Sequence, residues 1–143
     1  MMSILFAIIS GIAMSVQGIF NTRLSEKIGL WETNVIVQAT ALVITLLISV
    51  FLKKFGYKNI ANVNKLYLLG GVLGVIIIFT VMKSMSAMGA TTSVSIILIS
   101  QLLSAALIDA FALFGTQKIS FGFKEILGVL IMICGIIVFK WNK

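Results

Sequence analysis

The sequence predicts an all-α protein: a polytopic transmembrane helical bundle of five crossings, paired as an antiparallel dimer. Three observations lead there. Long apolar stretches fill the chain between Ser3 and Phe139, interrupted only by short basic patches. The composition is 60% hydrophobic and 10% charged, with a mean hydropathy of +1.18, whereas globular domains carry roughly a quarter charged residues. The basic residues, finally, divide almost evenly between the two ends of the helices. A helix needs about 20 residues to cross ~30 Å of hydrocarbon, so the crossings use up a chain of 143 residues, which reads as one transmembrane domain, 1–143.

The first helix covers about 3–22, an uncharged run followed by a short turn through Arg23, Glu26 and Lys27. The N-terminal Met-Met-Ser-Ile-Leu-Phe lacks the basic start and polar cleavage zone of a signal peptide, so this run is expected to stay in the mature protein. The second helix, about 33–52, is closed by Lys53 and Lys54. The stretch from Lys53 to Lys65 mixes Lys58 with Phe55, Tyr57 and asparagines, which suits a loop with its aromatics at headgroup depth. The third helix, about 66–83, ends at Lys83, whose amine can extend toward water. A tight link through Ser84, Ser86 and Gly89 leads to the fourth, about 90–114, which carries the lone acid Asp109 within its apolar run. The fifth, about 121–139, is the shortest uncharged run; it reaches spanning length by beginning near Phe121 with Lys124 and Glu125 snorkelling. Trp141, Lys140 and Lys143 supply a terminal anchor.

With five crossings, Lys53, Lys54, Lys58, Lys65, Lys118 and Lys124 fall on the N-terminal side of the membrane, and Arg23, Lys27, Lys83, Lys140 and Lys143 on the other. Orientation normally follows a clear Lys and Arg excess on the cytoplasmic side, and a difference of one residue supplies none. Two readings follow: insertion both ways with pairing to an inverted copy, or a weak bias decoded as a single orientation with the N-terminus inside.

Gly70, Gly71 and Gly74 in the third helix, and the stripe Gly11, Ser15, Gly18, Thr22 in the first, permit close helix packing. Gly128 and Gly135 on one face of the fifth suit either internal packing or a dimer interface. Polar residues inside spans usually face the protein interior or a water-filled cavity. The first helix offers Ser10, Gln17 and Asn21, the second Asn34, Gln38, Thr45 and Ser49, the fourth Ser93, Ser100, Gln101, Ser104 and Asp109. Hydroxyls can bond back to their own helix, but a primary amide has four bonding sites to fill. Gln17, Asn21, Gln38, Gln101 and Asp109 are therefore the candidate substrate- or ion-binding residues. At ~1.5 Å per residue from the run mid-points, Gln17 and Gln38 lie roughly 6 to 7 Å toward one side and Asp109 roughly 10 Å toward the other. An inverted partner would bring Asp109 to the glutamine layer, as a proton or cation site. The alternative is an acid near a helix end, reaching headgroup water or pairing with Lys118.

The segment QGIFNTRL with Gln17, Asn21 and Leu24, the block Ser100 to Gly115 (SQLLSAALIDAFALFG) and the closing Ile119 to Val138 (ISFGFKEILGVLIMICGIIV) together resemble the YdcZ-type membrane proteins of the drug/metabolite transporter superfamily. The resemblance covers nearly the whole chain. It implies a five-helix, half-size protein of the bacterial cytoplasmic (inner) membrane, from a group whose single, paired and fused forms are associated with antiparallel pairing. The Gly128 to Gly135 stretch is also similar to the last-helix dimerisation segment of small multidrug resistance transporters. Those exporters carry a Glu in the first helix, and this chain has no acid there.

The leading functional expectation is a half-size secondary transporter of a small molecule, working by alternating access as an inverted dimer with itself or a close paralogue. A dual-topology channel for ions or small solutes, or a non-transporting scaffold or accessory protein, are the alternatives. An enzyme is not expected, since the chain has no His, no nucleophile beside a base and no phosphate-binding glycine loop. Neither a cofactor nor a bound metal is called for, Cys134 being the lone cysteine. The net charge of +7 sits in the gaps between apolar runs, which points to the lipid bilayer and not to nucleic acid as its partner.

Overall fold

The computed structural model describes residues 2–52, 60, 62–119 and 122–140, with the side chain of Lys140 excepted. These residues form five α-helices: α1 (Met2–Ile28), α2 (Leu30–Phe51), α3 (Gly70–Met88), α4 (Ala90–Ala110) and α5 (Phe123–Lys140). The protein is all-helical. Among the described residues four segments are long and apolar enough to cross a membrane: α1, α2, Lys65–Met88 and α4. Within its 18 residues α5 includes Lys124, Glu125 and Lys140 at its two ends. The expected interfacial residues Lys53, Lys54, Phe55, Tyr57 and Lys58, the start near Phe121, and the anchor residues Trp141 and Lys143 lie outside the described residues.

Helix boundaries differ from the sequence expectation for local reasons. The segment Arg23–Lys27 is not a turn but the last turns of α1. Arg23 Nη1 donates to Glu26 Oε2 at 3.1 Å, a pair one helical turn apart, and Lys27 sits at the carbonyl end of the helix, where a cation is favoured. The chain turns on a single residue, Gly29, at φ 100° and ψ 159°, a backbone region essentially reserved for glycine. Its N–H donates to the Ser25 carbonyl at 3.0 Å, and its own carbonyl accepts both the N–H (3.2 Å) and the hydroxyl (2.8 Å) of Thr33.

A second one-residue link, Gly89 at φ 79° and ψ 160°, joins α3 to α4. Ser84 and Ser86 belong to α3, so the expected link shrinks to this glycine. A 3₁₀ turn over Lys65–Leu69 precedes α3, capped by Asn64, whose side chain accepts the Leu66 N–H at 3.0 Å. The fourth helix stops at Ala110, short of the apolar run to Phe114. Ala112 (φ 50°) and Phe114 (φ 56°) adopt left-handed backbone, and the Ile119 N–H returns to the Asp109 carbonyl at 3.1 Å. At the start of α5 the Gly122 N–H donates to Glu125 Oε2 at 2.9 Å, the reciprocal half of a capping box.

The backbone divides into two compact units, Met1–Ala87 and Met88–Lys143. In the first, packing is concentrated between the second half of α1, the first half of α2, and α3. A methyl group at Gly18 would lie 2.6 Å from Met85 Cε and 3.3 Å from Val81 Cγ1, so α1 and α3 approach closely there and a side chain at this position would have to displace Met85. Trp31 stacks on Phe79 with ring centroids 4.8 Å apart. Asn21, Thr22, Thr33, Asn34, Met82 and Met85 are buried, whereas Gly11, Gly70 and Gly71 face open space. Of the small-residue stripes, then, Gly18 and Gly74 meet neighbouring side chains in this unit. In the second unit α4 packs on α5, and a groove of about 350 Å³ between them is lined by residues including Thr91, Ser95, Met132 and Gly135.

Candidate functional site

Two polar residues of the first unit, Asn34 and Gln38, sit where α2 meets α3. Asn34, 2% exposed, donates from Nδ2 to the Val75 carbonyl of α3 at 2.9 Å. Its Oδ1 is buried without a hydrogen-bond partner, the kind of group that costs roughly 1–3 kcal/mol unless something else supplies a donor. One turn further along α2, Gln38 is half-buried with Nε2 3.1 Å from where a Cβ on Gly74 would stand. The amide therefore occupies space that the missing side chain leaves. Asn34 and Gln38 are four residues apart and so share one face of α2. Asn34 belongs to the polar lining visible in the sequence but was not among the residues singled out for a site; its spacing from Gln38 was the available signal.

On α1, Asn21 is buried and Gln17 is exposed, and neither side chain makes a hydrogen bond among the described residues. On α4, Gln101 is exposed and also unbonded. The hydroxyls behave otherwise. Ser15, Thr22, Thr40, Thr45, Ser49, Ser95 and Ser100 all donate to carbonyls of their own helices, at 2.7 to 3.0 Å, so they need nothing from outside. Ser93 differs in being fully buried with its hydroxyl unpartnered among the described residues.

The observed helix limits also shift the depths. Measured from the middle of each helix, Gln17 and Gln38 lie about 3 to 4 Å away and Gln101 within about 2 Å, while Asp109 lies roughly 13 Å away, in the last turn of α4. The three glutamines are mid-helix residues and Asp109 is a helix-end residue. The level match between Asp109 and the glutamines of an inverted copy, estimated from the apolar runs, is not kept, because α1 extends to Ile28 and α4 ends at Ala110. Asp109 is half-buried and its carbonyl anchors the following turn through Ala112 (3.2 Å) and Ile119 (3.1 Å). Among the described residues the ion pair within 4.0 Å is Arg23–Glu26; Asp109 and Lys118 do not pair. Gln17, Asn21 and Gln38 belong to the first unit and Gln101 and Asp109 to the second. Gly128 and Gly135 on α5 both face open space.

The chemistry on offer is amide hydrogen bonding at mid-helix depth, from side chains that the chain's own bonds leave largely unspent. A sequence profile for the family described as "Putative inner membrane exporter, YdcZ" matches residues 2–138. No curated protein and no solved structure matches the chain.

Proposed function

The chain belongs to this YdcZ family of the drug/metabolite transporter type, a multi-pass protein of the inner membrane, and from that premise we propose that it is a half-size secondary transporter. Two copies, or this chain and a close paralogue, pair in inverted orientation with five crossings each and carry a small molecule by alternating access. Transporters of this architecture place their sites near the mid-plane, between two inverted halves. A single five-helix chain supplies one half.

The observation that carries the reading is the state of the glutamines. Gln17 and Gln101 stand exposed near the middle of apolar helices without a bond among the described residues, and lipid tails have nothing to offer a primary amide. A partner subunit or a water-filled path must cover them. Gln17, Asn21, Gln38 and Gln101 line the solute path in this reading. Asp109, at the end of α4, takes up the coupling proton or cation at its mouth. The open faces of Gly128 and Gly135 on α5 form the dimer contact.

Reporter fusions at the C-terminus test the pairing. The expected result is comparable signal from both sides of the membrane. Signal from one side alone, together with a lack of crosslinking between Gln101→Cys copies in a Cys134→Ser background, would overturn it.

A further inference from the structure

We infer that the first unit contains a binding site for a zwitterionic phospho-amine headgroup, a phosphate and a primary ammonium on one short linker, near the Gly29 turn and distinct from the polar residues above. A cavity of about 230 Å³ is lined there by Ser25 and Glu26 of α1, Leu30 at the start of α2, and Lys83, Ser86 and Ala87 of α3. Sites for drug-sized ligands run to about 300–1,000 Å³. This one has room for a group of a few heavy atoms.

The charges decide what group. Glu26 is joined to Arg23 through Oε2; among the described residues its Oε1 has no partner and Lys83 makes no ion pair. A simple anion drawn to Lys83 would also face the Glu26 carboxylate, and a simple cation would face the ammonium. A ligand with both charges satisfies both walls. Two hydroxyls line the same cavity. Ser25 donates its proton to the Thr22 carbonyl at 2.8 Å, so its oxygen is free to accept from an ammonium. Ser86, with no side-chain bond among the described residues, can donate to a phosphate.

Depth supports the same ligand. Trp31, next to Leu30 and 60% exposed, stacks on Phe79, and Arg23, Lys27 and Glu32 lie in the adjoining turns. Exposed Trp among charged helix ends marks headgroup level in a membrane protein. The ligand chemistry can come from an ethanolamine phospholipid or from free phosphoethanolamine, and the inference does not depend on what the protein transports.

Native mass spectrometry of the full chain in detergent, with equal amounts of ethanolamine, choline and glycerol phospholipids, tests it. The ethanolamine lipid should be retained over the other two, because the choline headgroup has no N–H for Glu26 and the glycerol headgroup no cation. Lys83→Gln and Glu26→Gln should each lower that retention about tenfold, the effect of roughly one charged contact, while Lys27→Gln, outside the cavity, should not. Displacement of the lipid by free phosphoethanolamine would show that a soluble phospho-amine is a ligand too; failure to displace it assigns the site to lipid. Equal or greater retention of the glycerol lipid by the unaltered chain, retention unchanged in both cavity variants, or an equal loss in Lys27→Gln would each overturn the inference.

Discussion

Gly18→Ala, compared with Gly11→Ala on the same helix, gives the sharpest test of how the first three helices pack. At Gly11 an added methyl meets nothing within 4 Å; at Gly18 it meets Met85 Cε at 2.6 Å, Met85 Sδ at 2.9 Å and Val81 Cγ1 at 3.3 Å. Replacing a helical glycine by alanine stabilises by roughly 0.8–1 kcal/mol where the space is open. Overfilling a packed site costs roughly 1–3 kcal/mol, and Met85 is buried, so its side chain has little room to retreat. Gly11→Ala should therefore gain about 1 kcal/mol, and Gly18→Ala should come out between neutral and about 2 kcal/mol destabilised. The two variants then differ by about 1–3 kcal/mol, a separation of roughly 2 to 10 °C in unfolding midpoint for a chain of this size. Thermal unfolding of both proteins in one detergent measures this. Met85→Ala in the Gly18→Ala background should recover part of the loss, since the clash is with that side chain. Equal midpoints for the two single variants would refute the close approach of α1 and α3 at Gly18.

Other substitutions probe separate parts of the fold and site. Gly89→Ala should destabilise by about 1–3 kcal/mol from backbone strain alone, because space around it is open. Gly29→Ala should cost at least as much, since its methyl also meets the Glu32 carboxylate; unfolding midpoints equal to the parent protein would contradict both. Gln17→Leu and Gln101→Leu remove no bond within the described chain, so each should leave the monomer's folding intact while lowering the dimer fraction measured by light scattering in detergent. An unchanged dimer fraction would count against the partner-covered reading. Glu125→Ala should loosen the start of α5 by about 0.5–2 kcal/mol, read as faster amide exchange confined to residues 122–126; exchange at the parent rate would contradict the cap.

Much of the helical plan was legible because apolar run length is a direct signal of a span. What misled was the meaning given to charges. Arg23, Glu26 and Lys27 looked like a turn, but their spacing equally suits an i,i+3 pair and a basic last turn, and the residue that stops the helix is Gly29. At the other end of the chain, the apolar run continues to Phe114 without a break in composition, while the backbone leaves the helix at Ala112. Gly115 was the nearby sign. The polar residues of α1, α2 and α4 were visible as residue types, but which are spent and which are spare was not. That depends on rotamers, as when Thr45 turns back to its own helix, and on the register between helices, which sets Asn34 against Val75 and Gln38 against Gly74. The cavity shared by Glu26 and Lys83 depends on the same register and had no sequence signal.

The one-residue corner at Gly29 bears on how this protein is made. With no slack between them, α1 and α2 cannot choose sides separately during synthesis; whichever way the first is threaded, the second is committed to the return path. Any ambiguity of threading is then settled for the pair as a whole, and a misplaced first helix would yield a wholly upside-down hairpin instead of a half-inserted one.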